Sequence, residues 1–131
     1  MVTIDGVSHI GIRVVDAARS EAFYALFGFK VLWRGGPDNV VILKNANDVE
    51  INLIVNGTTP PDGHNVLMDV PEKHPGYTHV ALRVHSIEET VANLARAGIP
   101  LSGAPVKLGA GTSLFIRDPD RNVIELRQEQ A

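Results

Sequence analysis

Three side chains, His9, His79 and Glu125, have the types and the placement to hold a metal ion, and the placement comes from an internal repeat. Ser8-His9-Ile10-Gly11-Ile12-Arg13-Val14 returns as Thr78-His79-Val80-Ala81-Leu82-Arg83-Val84, and Phe27-Gly28-Phe29 returns at the same offset as Ala97-Gly98-Ile99. Near the ends of the copies the offset grows by three, and Lys44–Leu53 falls on Arg117–Leu126. His9 therefore matches His79, and Asn52 matches Glu125. Two imidazoles and one carboxylate carried on different strands form the donor set that holds Fe(II), and Zn, Mn, Ni or Co can use the same atoms. Three protein ligands leave positions open for water and a chelating substrate, as a catalytic site requires. Asn52 stands where a fourth ligand would be, and an amide oxygen is a weak one.

The elements that must position these residues follow from periodicity. Val7–Val15 alternates, with Ile10, Ile12 and Val14 on one face and His9, Gly11 and Arg13 on the other. Thr78–Val84 repeats the pattern with His79, Ala81 and Arg83 opposite the apolar row. A helix is predicted after each strand. The first is capped by Asp16 and buries Ala22, Phe23, Leu26 and Phe27. The second opens on the capping box Ser86-Ile87-Glu88-Glu89, turns Ile87, Val91 and Leu94 inward, and stops at Gly98. Strands are then predicted at Val31–Arg34, Val40–Lys44 and Glu50–Val55, and again at Pro105–Leu108, Ser113–Arg117 and Val123–Gln128. Ile51, Leu53, Ile124 and Leu126 belong to the helix-facing rows, so Asn52 and Glu125 join the histidines on the other face. This is an α+β chain of two βαβββ modules, residues 5–56 and 77–129, forming cupped mixed sheets with helices on the outer side. The Pro- and Gly-rich residues 57–76 connect the modules within a single domain. Asn45-Ala46-Asn47-Asp48 and Asp118-Pro119-Asp120-Arg121-Asn122 are matching tight turns.

Bulk properties narrow the classes. The 131 residues are enough for one real core, and 44% hydrophobic with 21% charged residues is ordinary globular composition. Twelve basic against fifteen acidic residues give −3 with no basic run, so neither nucleic acid nor an anionic membrane is expected as a partner. No stretch reaches the roughly 20 apolar residues of a membrane span, and no signal-peptide core is visible, so a cytoplasmic protein is expected. The absence of cysteine excludes disulfides, thiolate sites and a cysteine nucleophile.

Other residues carry two readings each. Glu50 shares a face with Asn52 and is either a nearby base or a solvated edge charge. Arg13 and Arg83, two residues beyond each histidine, either meet an anionic substrate or form salt bridges. Trp33, Tyr24 and Phe115 suit core and substrate pocket equally. His64, His74 and His85 read as loop residues.

His9–Val14, Tyr77–Val84 and above all Phe115-Ile116-Arg117-Asp118-Pro119-Asp120-Arg121-Asn122-Val123-Ile124-Glu125-Leu126 resemble the vicinal oxygen chelate superfamily, over nearly the whole chain. That superfamily includes glyoxalase I, bleomycin-resistance proteins, extradiol dioxygenases, fosfomycin-resistance enzymes and methylmalonyl-CoA epimerase. The resemblance implies paired βαβββ modules around one divalent metal ion, a small substrate presenting two neighbouring oxygens, and a homodimer. By position His9, His79 and Glu125 inherit the ligand roles. Glyoxalase I-like members carry Glu at the Asn52 slot, so lactoylglutathione lyase activity is not expected. Expected chemistry is isomerase- or lyase-type proton transfer, or Fe(II)-dependent oxygen insertion, with Glu125 and Glu50 as the catalytic candidates. The alternatives are a metal-free, bleomycin-resistance-like binding protein and a scaffold inactive through Asn52.

Overall fold

Each strand that begins at or just after a histidine pairs with the last strand of its own half of the chain. The structure, a computed structural model, describes residues 1–130. It divides into two compact units, Met1–Thr59 and a second from Pro60 onward. The first runs β1 (Ile10–Arg13), α1 (Ala17–Ala25), β2 (Lys30–Gly35), β3 (Val40–Lys44) and β4 (Glu50–Ile54). The second, after a short 3-10 turn at Pro61–Gly63, runs β5 (His79–Arg83), α2 (Ile87–Ala97), β6 (Val106–Leu108), β7 (Gly111–Arg117) and β8 (Val123–Glu129). Strand order is β1-β4-β3-β2 in one sheet and β5-β8-β7-β6 in the other. In each, the first strand lies parallel to the last and the remaining pairs are antiparallel. A parallel pair cannot be closed by a hairpin, and the helix with its following strands supplies the crossover. Two mixed four-stranded sheets with two helices are the α+β class that the repeat predicts.

Alternation fixes the buried faces. Ile51 and Leu53 of β4 are fully buried with Val41 and Leu43 of β3, and Ile124 and Leu126 of β8 with Leu114 and Ile116 of β7. Asn52 and Glu125, lying between them, face the other way. Helix ends follow the predicted chemistry. The Asp16 side chain accepts from the Arg19 N–H, and the Ser86 hydroxyl oxygen accepts from the Glu89 N–H. Gly98 ends α2 at φ 73°, in the left-handed region where only glycine is free of cost.

Several details differ from the periodicity, among them β7, which begins at Gly111 rather than Ser113. The buried face of α1 is Ser20 and Tyr24, with Phe23 and Phe27 half-buried, whereas Ala22 and Leu26 are exposed. Tyr24 is thus core, its ring edge-on to Phe23 and Phe29. The first strand is shorter than Val7–Val15, because its ladder with β4 begins only at Ile10 opposite Ile51. β2 runs one residue further at each end, carries a bulge between Val31 and Trp33, and is exposed from Lys30 to Arg34. Among the described residues no helix is long and apolar enough to cross a membrane.

Candidate metal centre

Glu125 sits mid-strand in β8, between Ala81 of β5 and Phe115 of β7, and only 8% of it is exposed. A buried carboxylate must be compensated, and this one is. Its Oε1 lies 3.0 Å from His79 Nε2 and its Oε2 lies 2.7 Å from Ser113 Oγ. His79 opens β5, with the Phe115 ring edge-on at 5.7 Å between centroids. Its Nδ1 lies 2.8 Å from Thr78 Oγ1. A carboxylate only accepts, so Nε2 carries a proton, and in a neutral ring of that tautomer Nδ1 accepts the Thr78 hydroxyl. The hydroxyl can reverse its role: with a cation on Nε2 the ring proton would sit on Nδ1, and Nδ1–H would donate to Thr78 Oγ1. One residue thus orients both tautomers.

The first unit repeats part of this arrangement. His9 stands just before β1, its Nδ1 2.9 Å from Ser8 Oγ and 3.8 Å from Glu50 Oε2. Asn52 lies between Gly11 of β1 and Ile42 of β3. Its Oδ1 is buried without a hydrogen-bond partner among the described residues. An orphaned buried acceptor costs about 1–3 kcal/mol, and a native one calls for an explanation such as an ion. In donor type, the imidazole and buried carboxylate of the second unit suit a divalent cation, as do the imidazole and unsatisfied amide oxygen of the first. His79 with Glu125 and His9 with Glu50 are pairs, and among the described residues no group of three His, Asp or Glu side chains is placed to hold a metal ion.

Other candidates separate. Arg13 donates from Nε to Asn56 Oδ1 at 2.9 Å, and Arg83 is exposed opposite Arg127. Trp33 is half-exposed, its ring lying across Gly35, where a Cβ would come within 2.8 Å. Phe115 lines a cavity of about 330 Å³ in the second unit, with Met68, Ala104, Val106, Arg117 and Val123. Phe115, Arg117 and Val123 share Glu125's face of the sheet, which puts the cavity next to His79. Its cation is already engaged, because Arg117 grips Asp69 with both terminal nitrogens at 2.8 and 2.9 Å and holds that carboxyl down to about 2. His64, His74 and His85 are exposed, His74 lying 3.9 Å from Glu72. Sequence reading passed over Ser8, Thr78, Ser113 and Arg127. The first two had a signal, since a hydroxyl residue precedes the histidine in both copies.

Comparison with known proteins gives the frame a family. The model of the glyoxalase/bleomycin resistance protein/dioxygenase superfamily matches residues 6–126. The chain belongs to that superfamily. Among solved structures it is similar to a glyoxylase/bleomycin resistance protein/dioxygenase domain from Frankia sp. EAN1pec, at 26% identity and TM-score 0.76, covering 98% of this chain and 100% of that one. The fold is shared with the glyoxalase family protein from Enterococcus faecalis, at 22% identity and TM-score 0.74, covering 94% and 97%. It is shared also with the fosfomycin resistance protein FosX from Listeria monocytogenes, at 20% identity and TM-score 0.72, covering 98% and 94%. No curated protein matches this superfamily member.

Proposed function

We propose that the chain is a metal-dependent enzyme of this superfamily, acting on a small molecule that offers two neighbouring oxygens. His9, His79 and Glu125 would hold one divalent ion, with Asn52 Oδ1 as a weak fourth donor. The observation that carries this reading is the buried Glu125 held 3.0 Å from His79 Nε2, and the unsatisfied Asn52 oxygen at the matching slot supports it. The ion, when bound, would supply Lewis acidity, polarising a carbonyl or enediolate and stabilising negative charge as it develops.

The chain's own residues would do the rest. Asn52 lacks a lone pair basic enough to take a proton, so that duty falls to another group. Glu50 is the candidate, because its Oε2 lies 3.8 Å from His9 Nδ1. The cavity beside Phe115 would take an uncharged, largely apolar part of the substrate, since Arg117 is committed to Asp69. Active protein as a homodimer completes the reading, supported by the exposed apolar residues Leu32, Trp33, Val106 and Leu108 on β2 and β6, the last strands of the two sheets. The same cavity favours a second reading, in which the protein sequesters an apolar small molecule without metal.

Elemental analysis of untagged protein decides between them. After chelator dialysis and reloading with Fe(II), Mn(II), Co(II), Ni(II) or Zn(II), near-stoichiometric metal is expected in wild type and not in Glu125→Gln. Wild-type protein that retains none of these ions would leave the binding reading in possession.

A further inference from the structure

Both oxygens of Glu125 are assigned, and the assignment of one is enforced from a distance. Ser113 is fully buried, with Oγ 2.7 Å from Glu125 Oε2. Arg127 Nη1 lies 3.0 Å from the same Ser113 oxygen. A guanidinium can only donate, so Ser113 Oγ accepts from it, and the single hydroxyl proton is sent to Glu125. Arg127 is itself fixed. Its Nη2 donates to the Leu108 carbonyl at 2.6 Å and its Nε to Glu129 Oε1 at 3.1 Å. The guanidinium lies over Gly111, where a Cβ would stand 2.7 Å from Cζ and Nη2 and 2.8 Å from the Gln128 carbonyl oxygen.

The first unit is an internal control. In β7 and β8 Ser113 pairs with Arg127 and Phe115 with Glu125; in β3 and β4 Val40 pairs with Ile54 and Ile42 with Asn52. Ser113, Arg127 and Glu125 are thus matched by Val40, Ile54 and Asn52. All three change together, and where the hydroxyl and guanidinium are missing, the oxygen at the ligand slot has no partner among the described residues. The serine and arginine accompany the carboxylate.

We propose that Ser113 and Arg127 are positioning residues that occupy Oε2 of Glu125 and leave Oε1 alone beside His79, as a one-oxygen ligand for a divalent ion. This rests on the metal-centre reading above. Two-oxygen chelation would require breaking the buried Ser113 bond. Four full-length variants, Ser113→Ala, Ser113→Thr, Arg127→Met and Arg127→Lys, test the role by two readouts. Without metal, nitrogen-15 spectra of the histidine side chains are expected to show His79 in one fixed tautomer with Nε2 protonated. That signature averages in Ser113→Ala and Arg127→Met and returns in Ser113→Thr and Arg127→Lys. With Co(II), affinity is expected to fall roughly 10–100-fold in the first two variants, with a changed visible spectrum as Glu125 alters its binding. A folded Ser113→Ala that keeps both the fixed tautomer and wild-type affinity overturns the proposal, as does loss of both that Ser113→Thr does not restore. If Ser113→Ala does not fold, the Arg127 pair decides by the same two readouts. Wild-type protein that takes up no Co(II) would fail the metal-centre reading, while the metal-free His79 spectra would still decide whether Ser113 and Arg127 position Glu125.

Discussion

Asn52 is where stability and chemistry pull in opposite directions. Its Oδ1 is buried and has no partner among the described residues, and the flanking residues at the matching level of the sheet, Gly11 and Ile42, offer it no side-chain donor. An isosteric apolar residue would remove the desolvation penalty and restore packing, at the loss of an oxygen. Asn52→Leu is therefore expected to stabilise the metal-free chain by about 1 kcal/mol in urea unfolding, within the usual worth of such a group. Its divalent-metal affinity should fall below wild type. A variant that is less stable would mean that Asn52 is satisfied in solution, and that its oxygen is not held in reserve. Glu125 presents the contrasting case, a charged group at the same level of its own sheet with every oxygen partnered.

At the level of elements, the wall of the cavity depends on one ion pair. Asp69 Oδ2 accepts from the Asn65 N–H, Asn65 Oδ1 accepts from the N–H groups of Leu67 and Met68, and Arg117 of β7 clamps Asp69. The segment that brings Met68 to the cavity is thus tied to the sheet. The Arg117 guanidinium lowers the Asp69 carboxyl from 3.8 to about 2. With the folded value depressed, the contribution to stability is complete above the unfolded value near 3.8 and is lost as pH falls through about 2. Between those values wild type should lose stability faster than Asp69→Asn, measured by denaturant midpoints at each pH; parallel curves would dismiss the clamp. Much of this level was legible beforehand. Strand alternation told which way His79, Glu125 and Asn52 face, and cap residues located both helix starts, because those signals are local. The buried face of α1 was not legible. Ser20 and Tyr24 look less apolar than Leu26 and Phe27, and only tertiary packing makes them core. The Ser113–Arg127 link escaped too, since it depends on strand register, and a strand serine carries no sign of what lies opposite.

At the scale of the molecule, one frame is built twice and given different chemistry. Both units carry a hydroxyl–histidine pair at the head of a parallel strand, yet only the second has the carboxylate and its supports. The ligand set proposed above, His9, His79 and Glu125, would take residues from both halves of the sequence, in one chain or across two copies, and one ion would then stabilise both. Linkage gives the size: free metal at 100 times its dissociation constant stabilises the bound form by about 2.7 kcal/mol, on the order of 10 °C in melting temperature for a chain of this length. Hydrogen exchange then shows where that energy goes. Loading wild type with Co(II) should slow exchange at Ile51–Leu53 of the first unit and at Ile124–Leu126 of the second, whose core strands flank the two slots. In His79→Ala, where a side chain one-third exposed is removed and the fold should persist, neither segment should respond to the ion. Protection that rises in the second unit alone would confine the ion to His79 and Glu125, and His9 would lose its place as a ligand.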